Sequence, residues 1–115
     1  MKKIIQYETT QIDFDLINHI KKIRKSKGLT KDELSLKMNV AKSFIGNVES
    51  HTQRHKYSTR HLSLLAKAFS YNNMSELLNF PTPKYDKIKV TVEQTFNESG
   101  TKVIKSEVVK IEEIK

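Results

Sequence analysis

The sequence predicts a mainly α-helical fold, a five-helix bundle that contains a helix-turn-helix and continues into a C-terminal β-hairpin. Apolar residues recur at helical spacing through residues 14–80, as they do on amphipathic helices. Two of these patterns meet near Asn39 at a joint of two or three residues, which is too short for antiparallel packing of the helices. Beyond Pro81, apolar and polar residues alternate with a period of two, the period of a β-strand.

The 115 residues have room for one domain and an appendage. We predict three segments: an N-terminal arm (residues 1–12), a helical domain (13–80) and a hairpin tail (84–115). The arm is rich in Ile, Tyr and Thr, so it is predicted to add a short strand. The Pro81-Thr82-Pro83 sequence marks the second boundary, because proline cannot continue a helix.

The net charge of +8 is concentrated in the helical segment. Residues 14–80 hold 12 Lys/Arg and 5 Asp/Glu, a net +7, whereas residues 1–13 are neutral and residues 81–115 carry +1. Such an asymmetry is typical of a protein that binds a polyanion, although a merely basic, solvated surface is the alternative. The same two interpretations apply to the cations in the second half of the first helix: Lys21, Lys22, Arg24, Lys25 and Lys27.

Caps predict where the first two helices begin and end. Asp13 is positioned to cap the first helix, and Gly28 is its expected stop. Thr30 and Glu33 form a capping-box pattern at the start of the second helix. Asn39 is the expected end of that helix, because Asn tolerates the left-handed backbone conformation.

Two further caps are predicted later in the helical segment. Ser58 precedes the apolar pattern of a fourth helix, and Asn73 with Glu76 forms a second capping-box pattern ahead of a fifth. Tyr57 is predicted to be a packing residue at the start of the fourth helix.

The third helical pattern has a polar side that the core does not use. Phe44, Ile45 and Val48 supply its apolar side. The residues left off the core side are Lys42, Ser43, Gly46 and Asn47. A steep crossing of the second and third helices would make this side protrude, so it is the predicted DNA-reading surface.

These residues resemble the Cro/C1-type, or XRE-type, helix-turn-helix family of bacterial and phage repressors. The resemblance covers roughly residues 14–80 and rests on Leu29-Thr30, Glu33-Leu34, Val40, Ile45, Val48-Glu49 and Leu65-Ala66-Lys67-Ala68-Phe69. It implies a five-helix DNA-binding domain with Lys42, Ser43 and Asn47 at base-contacting positions of the recognition helix. Gly46 would let that helix approach the groove closely.

The resemblance also implies that the loop between the third and fourth helices lies beside the DNA backbone. The predicted phosphate-contacting residues, there and at the start of the second helix, are Thr30, Lys31, Thr52, Gln53, Arg54 and Lys56. Phosphate contacts set the register and orientation of a protein on DNA rather than its sequence preference. A plain solvated loop is the alternative.

The tail is predicted to be a hairpin whose turn is Asn97-Glu98-Ser99-Gly100. Its second strand contains the apolar doublets Val103-Ile104 and Val108-Val109, which indicate a bulge or apolar contact on both faces. An isolated hairpin is marginally stable in water, so helix five, the N-terminal strand or a second subunit must cover it. The second subunit is the favoured cover, and the predicted dimerisation residues are Ile88, Val90, Val92, Phe96, Val103 and Val109.

These features predict a sequence-specific DNA-binding transcription regulator, a repressor that binds a near-palindromic site in double-stranded DNA as a homodimer. The alternative is an antitoxin-type regulator whose residues 84–115 bind a protein partner. Zero cysteines fit a cytoplasmic protein, and no membrane span, cofactor or enzymatic activity is expected. His51, His55 and His61 lack a fourth ligand nearby, so no metal site is expected either.

Overall fold

The computed structural model describes residues 1–115 and contains five helices and three strands. In chain order these are β1 (Lys2–Thr10), α1 (Gln11–Ser26), α2 (Lys31–Lys37), α3 (Phe44–Glu49), α4 (Thr59–Ala68), α5 (Met74–Leu77), β2 (Lys87–Phe96) and β3 (Val103–Glu113). The chain divides into two compact units. The helical unit is Asp13–Thr82, and the sheet unit combines Met1–Ile12 with Pro83–Lys115. None of the helices has both the length and the apolar character needed to cross a membrane.

The prediction of a mainly α fold with an appended hairpin was wrong. Helices make up 37% of the chain and strands 26%, and the strands form one three-stranded antiparallel sheet. The sheet order is β1-β2-β3, so the N-terminal strand pairs with the tail across most of the sequence. Periodic patterns indicate local structure and do not show which distant segments pair. The sequence therefore did not show that β1 pairs with β2 in one sheet.

The capping residues confirm most of the predicted helix ends. The Thr30 hydroxyl accepts the Glu33 amide at 3.1 Å while the Thr30 amide donates to the Glu33 carboxylate at 2.9 Å. Asn39 and Gly28 have φ values of 58° and 69°, the left-handed conformation expected after a helix. Ser58 caps α4 as predicted, with His61 as its reciprocal partner.

Two predicted helix starts and one predicted capping box need correction. Helix α1 begins at Gln11, whose amide donates to the Asp86 carbonyl at 2.8 Å. Asp13 therefore lies inside the first turn and pairs with Lys56 at 3.2 Å instead of capping the helix. At α5, Asn73 accepts the Glu76 amide, but the Glu76 carboxylate accepts from Asn72 rather than Asn73.

The third correction concerns the recognition helix, because α3 begins at Phe44 and not before Lys42. Ala41 to Phe44 form a tight turn in which the Phe44 amide donates to the Ala41 carbonyl at 2.9 Å. Ser43 is the N-cap residue, although its side chain makes no capping bond. Lys42 and Ser43 thus stand just ahead of the helix, while Gly46 and Asn47 are on it.

The helical unit has one apolar core. Residues from α1 to α5 contribute, and the fully buried ones are Ile20, Leu34, Ile45, Leu65 and Leu77. Leu16, Met38, Ala66 and Phe69 complete the buried cluster. Leu16 and Ile20, Leu34 and Met38, and Leu65 and Phe69 are each four residues apart, because that spacing places side chains on one side of a helix.

The sheet unit buries the centre of β2, where Ile88, Val90 and Val92 are fully inaccessible to solvent. The register of β2 with β3 shifts twice. Thr91 pairs with Lys110 and Val92 with Val108, and Thr95 pairs with Lys105 and Phe96 with Val103. The residues skipped are Val109 and Ile104, one from each apolar doublet, so both irregularities of the sequence mark bulges.

Candidate nucleic-acid interface

Ser35 joins the two helices of the helix-turn-helix. Its side chain is fully buried, and its hydroxyl accepts the Ile45 amide at 3.1 Å while donating to the Lys31 carbonyl at 3.0 Å. Ile45 is in the first turn of α3, where helix amides have no partner within the helix. The Ser35 hydroxyl therefore satisfies such an amide and fixes the start of α3 against α2. Sequence reasoning missed this residue; the signal was a small polar side chain beside buried Leu34.

A buried ion pair holds the other end of α3. The Arg24 and Glu49 side chains are only 7% and 2% exposed, and both nitrogen–oxygen distances of the bidentate pair are 2.9 Å. Arg24 also donates to the Leu29 carbonyl at 2.8 Å. The pair therefore connects α1, the link before α2 and the end of α3. Its two parallel hydrogen bonds match the planar shape of the guanidinium group.

The role of Arg24 corrects the sequence interpretation of the cations in α1. The sequence suggests a solvated or phosphate-contacting role for Arg24, as for the lysines of α1, but Arg24 is buried. Its position at helical spacing after Ile17 and Ile20 was the signal that it faces inward. Glu49, the only acidic residue between Glu33 and Glu76, was the available partner.

The outer side of the recognition helix is open. The Lys42 side chain is 73% exposed and lies 3.9 Å from the Asp32 carboxylate, a loose contact. Ser43 is exposed, and Gly46 and Asn47 are half-buried. A Cβ placed on Gly46 would meet no atom within 4 Å, so packing within the chain does not require glycine there. The Asn47 carbonyl accepts the His55 amide at 3.2 Å, which ties the helix to the following loop.

The loop after α3 is organised by Ser50. Its hydroxyl accepts the amides of Thr52 at 3.2 Å and Gln53 at 3.1 Å, so those two amides already have an acceptor. The Thr52 and Gln53 side chains are exposed, as is Arg54. Arg54 has a φ of 51°, a conformation that is uncommon for a residue with a side chain. Lys56 is exposed and pairs with Asp13.

Cations crowd together around Lys21, near the start of α2. Burial lowers the pKa of Lys21, and the neighbouring Lys25 and Lys31 lower it further, against the opposing effect of Glu49. Burial, and then Lys21, also lowers the pKa of His51. Like charges that repel on one surface disfavour their own protonation, so an anion bound beside them would relieve the repulsion. Lys31 is exposed there, while the Thr30 hydroxyl serves the capping box.

The histidines serve the fold of the helical unit. The His61 ring accepts the Ser58 amide at 3.0 Å through Nδ1 and packs on Phe44 with 4.4 Å between ring centroids. His51, His55 and His61 do not form a group that could hold a metal ion. Tyr57 packs against the core, as predicted, and contacts Phe44 edge-on at 6.0 Å.

The predicted dimerisation residues have different surroundings. Ile88, Val90 and Val92 are fully buried within the single chain. Phe96 is half-buried, whereas Val103 and Val109 are 38% and 51% exposed. Among the predicted dimerisation residues, only Val103 and Val109, both on β3, therefore expose substantial apolar surface.

Comparison with protein families gives one match, to a family model described as Helix-turn-helix, over residues 20–72. Residues 20–72 are a helix-turn-helix domain of the Cro/C1, or XRE, type. The matched segment contains α2, α3 and α4 whole, together with Arg24, Ser35 and Glu49 that position α3. The resemblance seen in the sequence is therefore confirmed over residues 20–72, and a helix-turn-helix domain of this type supports a DNA-binding regulator. Comparison with curated proteins finds no match.

Proposed function

We propose that this protein is a transcriptional repressor that binds a near-palindromic operator in double-stranded DNA as a homodimer. The observation that carries the proposal is the surface around the start of α3, where Lys42 and Ser43 are exposed, Asn47 is half-buried and a Cβ on Gly46 would meet no atom within 4 Å. The helical unit that presents them carries 12 Lys/Arg and 6 Asp/Glu, a net +6. A basic unit with a protruding, polar helix fits the major groove.

The side chains of this surface suit direct contact with bases. Lys42 can donate to guanine O6 or N7, Asn47 can form a bidentate pair with adenine, and the Ser43 hydroxyl can serve several bases. Gly46 leaves room for the groove wall to approach the helix backbone. Lys42 and Ser43 would reach the bases from the turn just ahead of α3, at the end of the helix that enters the groove in helix-turn-helix proteins.

Phosphate contacts would come from both sides of the recognition helix. We assign them to Thr30, Lys31, Thr52, Gln53, Arg54 and Lys56. For Thr52 and Gln53 the side chains are the donors, because their amides already donate to Ser50. The cluster of Lys21, Lys25 and Lys31 is close to these residues, and a phosphate would offset the repulsion among its cations.

The homodimer follows from the size of one recognition helix, which reads only a few base pairs. Two copies with recognition helices about 34 Å apart would read two half-sites on one side of the duplex. We propose the sheet unit as the dimerisation element, with Val103 and Val109 exposed and Ile88, Val90, Val92 and Phe96 holding the sheet that presents them. We also propose that the protein is cytoplasmic and is not an enzyme.

The experiment compares base-contacting and phosphate-contacting variants on selected and random duplexes. An operator is first selected from a random duplex library by the wild-type protein. Asn47→Ala and Lys42→Ala are expected to lose roughly 1 to 3 kcal/mol of discrimination at particular base pairs, whereas Arg54→Ala weakens binding to all sequences alike. Equal losses on operator and random DNA for the first two variants would contradict their assigned role.

A second candidate function is that of an antitoxin-type regulator whose tail binds another protein. The observation that favours it is the exposed apolar surface of β3, where Ile104 is 63% and Ile111 is 43% exposed. Such an apolar surface could bind a protein partner. The mass of the purified chain distinguishes the two. A stable dimer of the chain alone supports the repressor, while a stoichiometric complex with a different co-purifying protein supports the antitoxin.

A further inference from the structure

The two outer edges of the sheet differ in regularity. Strand β1 pairs with β2 from Lys2 to Thr10 without a register shift, whereas β3 is interrupted by bulges at Ile104 and Val109. Bulges bend and twist a strand, and they are a common means of preventing another strand from pairing at an edge. The edge of β1 is therefore the one shaped to accept a further strand.

The hydrogen bonds at both ends of β1 show which backbone groups face that edge. The Phe96 amide donates to the Met1 carbonyl, and the Gln11 amide donates to the Asp86 carbonyl, both at 2.8 Å. In an antiparallel pair, hydrogen-bonded and non-hydrogen-bonded residue pairs alternate. The odd-numbered residues of β1 therefore bond to β2, and the backbone groups of Lys2, Ile4, Gln6 and Glu8 point to the outer edge, beside which the chain places no strand.

We propose that this edge pairs antiparallel with β1 of a second copy, with the two-fold axis at Ile5. This inference rests on the homodimer of the proposed function and places its interface at the edge of β1, so that Val103 and Val109 on β3 lie outside the interface. In this register Ile5 lies opposite Ile5 of the second copy, Ile4 opposite Gln6, and Lys2 opposite Glu8. The two three-stranded sheets join into one of six strands, which holds the two helix-turn-helix domains of the dimer.

The charges of β1 select this register. Lys2 and Glu8 lie on the same face of the strand, so the two-fold axis at Ile5 places Lys2, which is 65% exposed and pairs with Glu93 of its own chain, opposite Glu8 of the second copy at each end of the interface. A shift by two positions places either Ile4 opposite Glu8 or Gln6 opposite Lys2, and no ion pair forms between the two copies of β1. A shift by one position would put the two copies' side chains on opposite faces.

The same register gives Ile4 a neighbour. Ile4 is 54% exposed, although the other β1 residues on its face are the polar Lys2, Gln6, Glu8 and Thr10. Next to the two-fold axis, Ile4 lies diagonally across from Ile4 of the second copy, a separation that long side chains span. Dimerisation would thus cover the one apolar side chain on the polar face of β1.

A disulfide test reads out the register directly, because the chain contains no cysteine. The two copies of residue 5 would form a non-hydrogen-bonded pair with Cα atoms about 4.5 Å apart, within the range of a disulfide. Mild oxidation of Ile5→Cys should give a reducible species of twice the 13.4 kDa chain mass. The matched control is Tyr7→Cys, on the same face but opposite Lys3, which should remain monomeric under denaturing conditions. Equal cross-linking of both variants, or none of Ile5→Cys, overturns the register.

A pair of proline variants tests the edge itself. Gln6→Pro removes an amide that points away from β2, so the fold of one chain should survive while pairing is blocked. Ser106→Pro does the same on β3, where the Asn97–Lys102 and Ile114–Lys87 hydrogen bonds and the register place the Ser106 amide outward. By light scattering, we expect a dimer for the wild type and Ser106→Pro and a monomer for Gln6→Pro, with unchanged circular dichroism.

The outcomes separate this inference from the proposed function. Dissociation by Ser106→Pro but not by Gln6→Pro overturns the β1 interface and leaves the homodimer intact. A wild-type chain that is monomeric both alone and on its selected operator overturns both the homodimer and the β1 interface. If Gln6→Pro fails to fold, the cross-linking of Ile5→Cys against Tyr7→Cys decides.

Discussion

The helical unit and the sheet unit handle charge in opposite ways. The sheet unit carries 9 Lys/Arg and 7 Asp/Glu, a net +2, against +6 for the helical unit. All four of its ion pairs lie on the surface and connect Lys2 to Glu93, Lys89 and Lys110 to Glu112, and Lys105 to Glu107. In the helical unit, the pair of Arg24 with Glu49 is buried, and the 12 Lys/Arg of the unit outnumber its 6 Asp/Glu.

The difference shows two uses of ionic side chains. An exposed pair gains little, because water screens it, so the charges of the sheet unit chiefly balance one another. A buried pair is costly to break, because the remaining charge has no partner. The helical unit therefore uses its buried pair to position α3, and its unbalanced exterior remains available to a polyanion.

The largest expected effect is a loss of stability on breaking the buried Arg24–Glu49 pair. Glu49→Gln removes the charge that Arg24 needs, and we expect the free energy of unfolding of the helical unit to fall by about 3 to 5 kcal/mol. The measurement is urea unfolding followed by far-ultraviolet circular dichroism. The matched control in the sheet unit is Glu112→Gln, which should cause no measurable change. Equal effects of the two variants would remove the distinction between the units.

The next largest effect on stability is expected from removing the Ser35 hydroxyl, the buried polar group that positions the start of α3. Ser35→Ala leaves the Ile45 amide without an acceptor, so we expect a loss of about 1 to 3 kcal/mol in the free energy of unfolding. Ser63→Ala, on the exposed side of α4, is the control and should be neutral or slightly stabilising. A neutral Ser35→Ala would show that the Ser35 hydroxyl contributes nothing to the joint between the two helices.

A smaller effect is expected at Gly46, where a substitution should raise stability while it weakens DNA binding. Gly46→Ala should raise the free energy of unfolding by about 1 kcal/mol, because alanine favours a helix and its Cβ meets open space. Operator affinity should fall, since the methyl group would stand between the helix and the groove. Unfolding and binding are measured on the same preparations, with Ser63→Ala as control. If the variant is more stable and binds the operator as tightly as the wild type, Gly46 does not lie at the contact with DNA.

The smallest effect is a pH dependence that the sheet unit cannot show, because all four histidines lie in the helical unit. Burial, and then Arg60, lowers the pKa of His61. The unfolded chain therefore binds this proton at higher pH than the folded chain, so the contribution of His61 is complete above about pH 6.5 and is lost as the pH falls through the lowered pKa. His61→Gln keeps a capping acceptor that does not titrate. It should lose less stability than the wild type between pH 8 and pH 5 in matched unfolding experiments; an identical profile would contradict this role.

Much of the helix-turn-helix could be predicted from the sequence, because its signals are local. The capping box of Thr30, the left-handed turn at Asn39 and the apolar spacing of α2 and α4 each depend on residues within one or two helical turns. The two apolar doublets likewise marked both bulges of β3. The start of α3 was placed too early, since residues 41–44 form a tight turn whose composition also suits a helix.

The sequence by itself determined the approximate positions of the helices and strands and the segment that carries the positive charge, because periodicity, caps and composition depend on consecutive residues; the family followed from a resemblance of particular residues. Only the tertiary structure decided that residues 2–10 pair with the tail, that Arg24 is buried against Glu49 and that Ser35 holds α3. Each of these contacts joins residues 10 or more positions apart in the sequence, and local patterns carry no information about which distant groups meet.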